Sequence, residues 1–507
     1  MKHKKLRIEA LLKLINSMNK SEKRYFKLTT KLQAGSKSYL FLYQCLAKNI
    51  PEEEALSLFI GRYGEKSIEP TSKYLYQQLL NCLSQSQSHD FCQTAIFKHI
   101  SNASLLYERN LLNEAFTELA KAKKLAKQYE NDILHLLVLR TEMHYLIEKN
   151  FPNTLEKEII VRQTKINKCT KSIQNSNMHL SLYTIMQKRL QQLGSIRTNE
   201  QKTMMNDLVL TELNLTANSN YSGFQSMRLH LLFQASYYLS TGNYKSALRF
   251  YSELVRQFDE HPHLKQYPPV YYLKTLEGIV NTLVAMNLHD ELHDFLDKLK
   301  ELEQGGYPKD FILRVRYCIF SAKAKSVLNQ NLSAEALHIM EEYKETLLEQ
   351  AESLNMEMQL NLHLLTVGIY IWNENYRSAK KTLKTISLAE KNFHILPQYR
   401  ISRFLNLIVK TEMGDYDFID NEVRSIKRDI QKTSHLNLSE KIIFKYVLAC
   451  PIPTAKAFRE NIWHKLKKEA DKVREDKLET QYLQTFNFIR WIEKKLLFPS
   501  FFPNTNS

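Results

Sequence analysis

A short turn motif recurs along this chain at nearly constant spacing. Its clearest copy is GNYKSAL, which begins at Gly242 between two stretches with apolar residues at helical intervals. Further copies, two of them weaker, begin at Asn110, Asn150, Gly194, Asn287, Asn331, Glu374 and Gly414. Successive copies are 40 to 48 residues apart. Because an apolar-periodic segment lies on each side of these turns, the pattern predicts a series of α-helical hairpins.

Other turn-forming residues are scarce, which supports the same architecture. The 507-residue chain contains only 11 Gly and 12 Pro. Such a chain disfavours β-sandwiches, barrels and propellers, which need a turn about every 8–12 residues. It also disfavours nucleotide-binding α/β folds, whose phosphate loops are built on Gly. We therefore predict an all-α protein, an α-solenoid of about eight antiparallel helical hairpins with a period of about 44 residues.

The residues around Gly242 resemble the tetratricopeptide repeat (TPR) family. Ala235, Gly242, Tyr244 and Ala247 match its small-residue, turn, aromatic and packing-alanine positions. The resemblance implies a right-handed superhelix whose first helices line a concave groove that binds peptides or protein segments. Since the period exceeds the roughly 34 residues of that family, it also implies longer helices. An EKRYFK-type start with an FNFIRWIEKK-type end is similar to bacterial TPR-like proteins, a likeness that implies no activity.

Three regions follow from the distribution of these patterns. Residues 1–90 predict a basic helical N-terminal domain, in which Ile8, Leu11 and Ile15 form an apolar stripe at helical spacing. Residues 91–435 carry the TPR-like helical-hairpin repeats. Residues 436–507 predict three C-terminal capping helices, over residues 437–449, 454–473 and 476–496, which we expect to cover the open end of the array.

Positive charge is concentrated at the N-terminus. The formal net charge is +17, and residues 1–50 contain 12 basic and 2 acidic residues. Such a segment attracts nucleic acid, acidic proteins or membrane surfaces. The residues expected to contact phosphates are Lys20, Lys23, Arg24, Lys27 and Lys31. A solvated helix face that keeps the protein soluble is the alternative interpretation.

Three residues are candidates for contacts with a partner in the groove. The TPR resemblance implies that Asn281 stands where such repeats often place an Asn that bonds a peptide backbone. Gln234 lies two positions from that register, and Tyr238 would offer an amphipathic contact surface. Packing between helices is the alternative role for such aromatic residues.

No arrangement of residues in the sequence indicates catalysis, and we expect no cofactor and no metal site. The segment from His289 to His293 resembles the metal-binding pattern H-E-x-x-H, but Asp290 occupies the Glu position and His289 falls in a turn. We interpret this pair as a turn residue and an exposed helix residue. The six Cys form no C-x-x-C pair, which favours buried thiols in a reducing compartment.

These observations favour a non-enzymatic scaffold or adaptor that binds a protein or peptide partner. The N-terminus has no apolar core of a signal peptide, and no stretch approaches 18 apolar residues, so we expect a cytoplasmic protein without a membrane span. The alternative is a nucleic-acid-associated or peptide-sensing regulator that uses residues 1–50 as its contact.

Overall fold

The computed structural model describes most of the chain. The described ranges are 2–18, 20–31, 38–47, 51–86, 92–152, 154–194, 196, 198–218, 223–389, 393–433, 436–453 and 455–498. Within them the chain forms 26 α-helices, three short 3-10 helices and no β-strand. The predicted all-α class is therefore confirmed. The chain forms two compact units, Met1–Lys171 and Ser172–Ser507.

The first unit begins with short helices and continues with longer ones. Its helices are α1 Lys2–Ser17, α2 Lys20–Lys31, α3 Ser38–Ala47, α4 Glu52–Tyr63, α5 Ile68–Ser86, α6 Cys92–Glu108, α7 Leu112–Gln128 and α8 Asp132–Glu148, followed by α9 Glu156–Leu193, which ends in the second unit.

The second unit contains the remaining helices. They are α10 Asn199–Thr203, α11 Asn206–Asn218, α12 Phe224–Ser240, α13 Tyr244–Glu260, α14 His263–Gln266, α15 Pro269–Met286, α16 His289–Gln304, α17 Lys309–Asn329, α18 Ser333–Glu342, α19 Met356–Trp372, α20 Tyr376–Leu388, α21 Tyr399–Glu412, α22 Ile419–Thr433, α23 Leu438–Leu448, α24 Lys456–Glu475, α25 Lys477–Tyr482 and α26 Phe488–Leu497. The 3-10 helices are Glu65–Ser67, Leu348–Ser353 and Tyr416–Phe418.

The recurring turn residues adopt the left-handed conformation that ends a helix. Positive φ angles, between 56° and 78°, occur at every predicted turn position, namely Asn110, Asn150, Gly194, Gly242, Asn287, Asn331, Glu374 and Gly414. Gly tolerates this conformation because it has no Cβ, and Asn tolerates it better than most other residues. After two of these turns the next helix is capped by an Asn side chain, where Asn243 and Asn375 accept hydrogen bonds from Ser246 N and Ser378 N.

Small residues follow the turns and allow neighbouring helices to approach closely. Ala115, Ala247, Ala336 and Ala379 are all 0% exposed. In the second unit, each helix contacts its successor in the pairs α12–α13, α15–α16, α17–α18 and α19–α20. The first helices of these hairpins also contact one another in series, from α15 to α17, α19 and α21.

The N-terminal helices enclose an apolar core of their own. The stripe that begins with Ile8, Leu11 and Ile15 is buried, together with Phe26 on α2. A separate core lies between α6, α7 and α8, around Ala103, Leu119 and Val138. Both cores belong to the first unit, which ends at Lys171.

Two segments differ from the hairpin pattern. Residues 156–193, expected to contain a break between hairpins, form the single 38-residue helix α9, because this stretch contains neither Gly nor Pro to end a helix. The final helix, expected to be continuous over residues 476–496, is divided into α25 and α26. Asn487 caps the second part by accepting a hydrogen bond from Arg490 N at 3.0 Å.

No helix among the described residues combines the length and the apolar composition needed to cross a membrane.

Candidate functional site

A cavity of about 320 Å³, lined by both polar and apolar residues, lies in the second unit. One side is formed by the consecutive first helices α15, α17 and α19. The wall also includes Gln481, Tyr482 and Gln484, which lie at the end of α25 and in the link that follows it. Concave pockets with a few polar groups are where ligands usually bind, which makes this cavity a candidate site.

The three helices present equivalent positions to the cavity. The nine residues that we call the first-helix face are Glu277, Asn281 and Ala285 on α15, Tyr317, Ser321 and Lys325 on α17, and Glu357, Asn361 and Leu365 on α19. On each helix they are four residues apart, so they share one face. Corresponding residues on successive helices are 40 residues apart in the chain. The face is therefore formed by corresponding positions of three helices that contact one another in series.

The charged groups of the first-helix face are partly removed from water. Desolvation lowers the pKa of Lys325, whereas the Glu277 carboxylate opposes this shift. Desolvation, together with the charge of Glu277, raises the pKa of Glu357. Glu277 also accepts a hydrogen bond from Lys274 at 3.1 Å and raises the pKa of that lysine. A cavity that disfavours isolated charges gains most from a ligand that brings opposite charges.

The C-terminal helices contact the turn ends of earlier hairpins. Gln481 donates a hydrogen bond to Leu239 O at 3.1 Å, close to the Gly242 turn. Arg490 on α26 donates hydrogen bonds to Leu328 O at 3.0 Å and to the side chain of Asn331. Asn331 is the turn residue two hairpins after Gly242. These contacts extend well beyond the open end that a terminal cap was expected to cover.

Further along, α26 contacts two more turns. Lys495 Nζ lies 3.0 Å from a carboxylate oxygen of Glu374 and 3.1 Å from one of Glu412. The guanidinium of Arg490 lies 4.9 Å from the centre of the Trp372 ring. The segment of residues 477–497 therefore lies along the turns of several hairpins, and its beginning forms part of the cavity wall.

Of the three predicted groove residues, the cavity wall includes Asn281. Gln234 is 5% exposed within α12. The Tyr238 ring stacks on Phe250 with 5.6 Å between ring centres, which is a packing contact between α12 and α13. The structure therefore brings Asn281 together with Lys325, Glu357 and Asn361 rather than with Gln234 and Tyr238.

The other members of the first-helix face were not anticipated from the sequence. The available signal was a pair of polar residues four positions apart on helices that also carry buried apolar residues. For example, Asn281 and Asn361 lie on helices with the buried residues Leu283 and Leu362. Their 40-residue spacing is present in the sequence, but it does not show that these positions line one cavity, because the rotation of each helix is set by its packing.

The predicted basic contact lies on α2. Lys20, Arg24 and Lys27 are exposed there, and Lys23 is half-buried. The opposite side of this helix is buried through Phe26 and Thr30. The side chain of the fifth predicted residue, Lys31, lies outside the described residues.

The His289–His293 pair has the arrangement expected for a turn and an exposed helix residue. His289 Nδ1 lies 2.7 Å from Ser326 Oγ, and His293 is exposed on α16. The six cysteines are free, and Cys318, which lines the cavity, is 4% exposed. Burial raises the pKa of the Cys318 thiol well above its usual range, so it stays protonated and a poor nucleophile.

Comparison of the chain with protein-family models, with curated proteins and with solved structures gives no match.

Proposed function

We propose that this protein is a non-enzymatic scaffold or adaptor built as a TPR-like α-solenoid, and that the first-helix face binds a segment of a protein partner. The observation that carries the proposal is that Asn281 and Asn361, at corresponding positions of α15 and α19, line one cavity. A carboxamide both donates and accepts hydrogen bonds. The side chains of Asn281 and Asn361 could therefore bind the alternating N–H and C=O groups of an extended peptide that crosses the three helices.

The charges beside these two residues suggest how a partner would be selected. Lys325 would pair with an acidic side chain or a terminal carboxylate, whereas Glu277 and Glu357 would pair with a basic side chain. Because the cavity is already formed, binding would cost little conformational entropy in the protein. The partner is therefore an extended segment that carries charges of both signs.

Peptide binding tests this proposal directly. An array of extended peptides with mixed charge would be probed with the full-length protein, and the affinity of selected peptides measured by fluorescence polarisation. We expect Asn281→Ala and Asn361→Ala each to weaken binding by about tenfold, which corresponds to one lost hydrogen bond of about 1.4 kcal/mol.

Asn421→Ala is the matched control, since Asn421 is an exposed asparagine on α22. It should bind the peptides as the unaltered protein does. Equal binding by all variants would show that the peptides do not bind at the first-helix face. Chemical modification of the bound peptides would show that the protein is an enzyme and not a scaffold.

A second proposal follows from the exposed side of α2. The cations Lys20, Arg24 and Lys27 share it, and we propose that they contact nucleic acid in a regulator that uses residues 1–50. Contacts with phosphates release counterions, so binding should weaken steeply as salt increases.

The matching experiment measures DNA and RNA binding over a salt series. Neutralising Lys20, Arg24 and Lys27 to Gln should flatten the salt dependence and weaken binding. The same changes at Lys121, Lys124 and Lys127, which are exposed on α7, should do so much less. If both triple variants behave alike, the attraction belongs to the overall charge of +17 and not to α2.

A further inference from the structure

Three ionisable side chains from three helices meet in the interior of the second unit. His179 lies on α9, Glu212 on α11 and His230 on α12. The Nδ1 atoms of both imidazoles approach the same carboxylate oxygen of Glu212, at 2.9 Å from His179 and 2.8 Å from His230. The imidazole rings are inclined by 71° to each other, with 6.1 Å between their centres.

The cluster is almost completely buried. The side chains of His179, Glu212 and His230 are 2%, 0% and 14% exposed. Both short contacts end on one oxygen of Glu212, whereas the other, Oε2, is buried without a hydrogen-bond donor among the described residues. A carboxylate oxygen removed from water in this way is costly unless a cation or a donor satisfies it.

Helix α11 places this carboxylate at one of its few buried positions. Among its described side chains, Leu208 and Glu212 are the buried ones. Its other apolar residues include Leu210 and Leu213, which are 61% and 51% exposed. A helix that places a carboxylate at one of two buried positions gains little from apolar packing there, so the carboxylate must obtain its stabilisation from its partners.

The geometry suits a divalent transition-metal ion. The ligand atoms of the three residues lie within 4.8 Å of one another. Ligands about 2.0–2.1 Å from a tetrahedral Zn²⁺ are about 3.3 Å apart. The two imidazole nitrogens, now 2.9 and 2.8 Å from the Glu212 oxygen, would therefore each move away from it by about half an ångström to admit the ion. Two imidazole nitrogens and a carboxylate are donors that Zn²⁺ and its neighbours in the first transition row accept.

We propose that His179, Glu212 and His230 form a binding site for Zn²⁺ or a similar divalent transition-metal ion. The cation would lie between the three side chains. It would satisfy the second oxygen of Glu212 and link α9, α11 and α12. This inference is independent of peptide binding, because His179, Glu212 and His230 do not line the cavity of the first-helix face. It also replaces our expectation that the protein has no metal site.

A second group of possible ligands suits a metal less well. Asp132, His135 and Cys169 also lie close together in the first unit. There the Cys169 thiol donates a hydrogen bond to the main-chain oxygen of Asp132 at 3.1 Å, and burial raises its pKa to about 11. Since a cysteine ligand binds as thiolate, this environment works against metal binding.

Metal titration of the full-length protein tests the proposal. The protein is stripped with a chelator, dialysed and titrated with Zn²⁺ by calorimetry, and with Co²⁺ while the visible ligand-field bands are recorded. We expect one ion per chain and a Co²⁺ spectrum of tetrahedral type. Glu212→Gln and His230→Gln should each weaken Zn²⁺ binding at least 100-fold, more than the loss of a residue that only orients a ligand.

The control is the double variant His289→Gln/His293→Gln, which removes the histidine pair closest to a metal motif in sequence. It should keep the stoichiometric site. Circular dichroism establishes that each variant is folded, and His230→Gln, at the most exposed ligand, provides the test if Glu212→Gln unfolds. Absence of stoichiometric binding by the unaltered protein, or unchanged binding in folded Glu212→Gln, would overturn the proposal and leave a purely hydrogen-bonded cluster.

Discussion

Glu374 shows how one residue can combine a strained conformation with a long-range contact. Its φ of 59° is left-handed, which costs a residue with a Cβ about 1–2 kcal/mol. The other predicted turn positions are occupied by Gly or Asn. The carboxylate of Glu374 pairs with Lys495 on α26, a contact that Gly could not make. The side chain is therefore explained by the docking of α26 and not by the turn.

A second residue-scale feature makes the first unit sensitive to acid. Glu118 is paired with His99 at 2.7 Å and with Lys121 at 2.6 Å, and its side chain is 14% exposed. The hydrogen bond to His99, followed by that to Lys121, lowers the pKa of Glu118 from 4.5 to about 2. A carboxyl group with a lowered folded-state pKa stabilises the fold above its unfolded-state pKa, and this stabilisation is lost as the pH falls.

We expect Glu118→Gln to lower the free energy of unfolding at neutral pH by roughly 1–3 kcal/mol, the usual range for hydrogen bonds to charged groups. The difference from the unaltered protein should shrink as the pH falls from about 4.5 to about 2. Thermal unfolding over a pH series measures it. Glu114→Gln, at an exposed position on α7, is the control, and a difference that persists unchanged at pH 2 would contradict the assignment.

At the scale of the elements, close approach between α13 and α15 depends on a glycine. A Cβ added at Gly278 would lie 2.2 Å from the ring of Tyr251. Tyr251 is 3% exposed and has little space to move. Gly in the middle of a helix is normally unfavourable by roughly 0.5–1 kcal/mol relative to Ala, so its presence here indicates a packing requirement.

Gly278→Ala should therefore destabilise the second unit by about 1–3 kcal/mol, as overpacking of a core does. Gly61→Ala is the matched change, because Gly61 lies in α4 and a Cβ there meets nothing within 4 Å. That variant should be neutral or slightly stabilising. Denaturant unfolding measures the free energy of unfolding of both variants. A more stable Gly278→Ala protein would show that α13 and α15 accommodate the added methyl group without cost.

At the scale of the whole molecule, the segment of residues 477–497 ties the second unit together through contacts distant in sequence. Gly242 and Gly414 are both turn glycines, with φ angles of 70° and 78°. A Cβ at Gly242 would lie 2.8 Å from the main-chain oxygen of Lys477, whereas one at Gly414 meets nothing within 4 Å.

Alanine at either position should cost about 1–2 kcal/mol through the left-handed conformation alone. Gly242→Ala should cost more, since Lys477 must also move. The extra loss, measured by denaturant unfolding, reports the contribution of the docked segment, and limited proteolysis should detect its release in Gly242→Ala. Equal losses in the two variants would mean that the contact contributes nothing.

The sequence by itself determined the helical class, the turn positions and the buried stripe of the N-terminal helix. These are local properties, since positive φ at Asn287 or Gly242 follows from the steric limits of one residue, and burial of Ile8 and Leu11 from the period of one helix. The absence of Gly and Pro from residues 156–193 also explains why α9 is continuous, although the regular spacing of the turns predicted two helices there.

Only the tertiary structure decided which side chains meet. His179 is 33 residues from Glu212, and Gln481 is 242 residues from Leu239, so neither contact follows from helical periodicity. Likewise, the presence of Asn281 and Asn361 in the wall of one cavity depends on how each helix is rotated when it packs on the next. Such rotations are set by the volumes of all the side chains between two helices, which no short stretch of sequence contains.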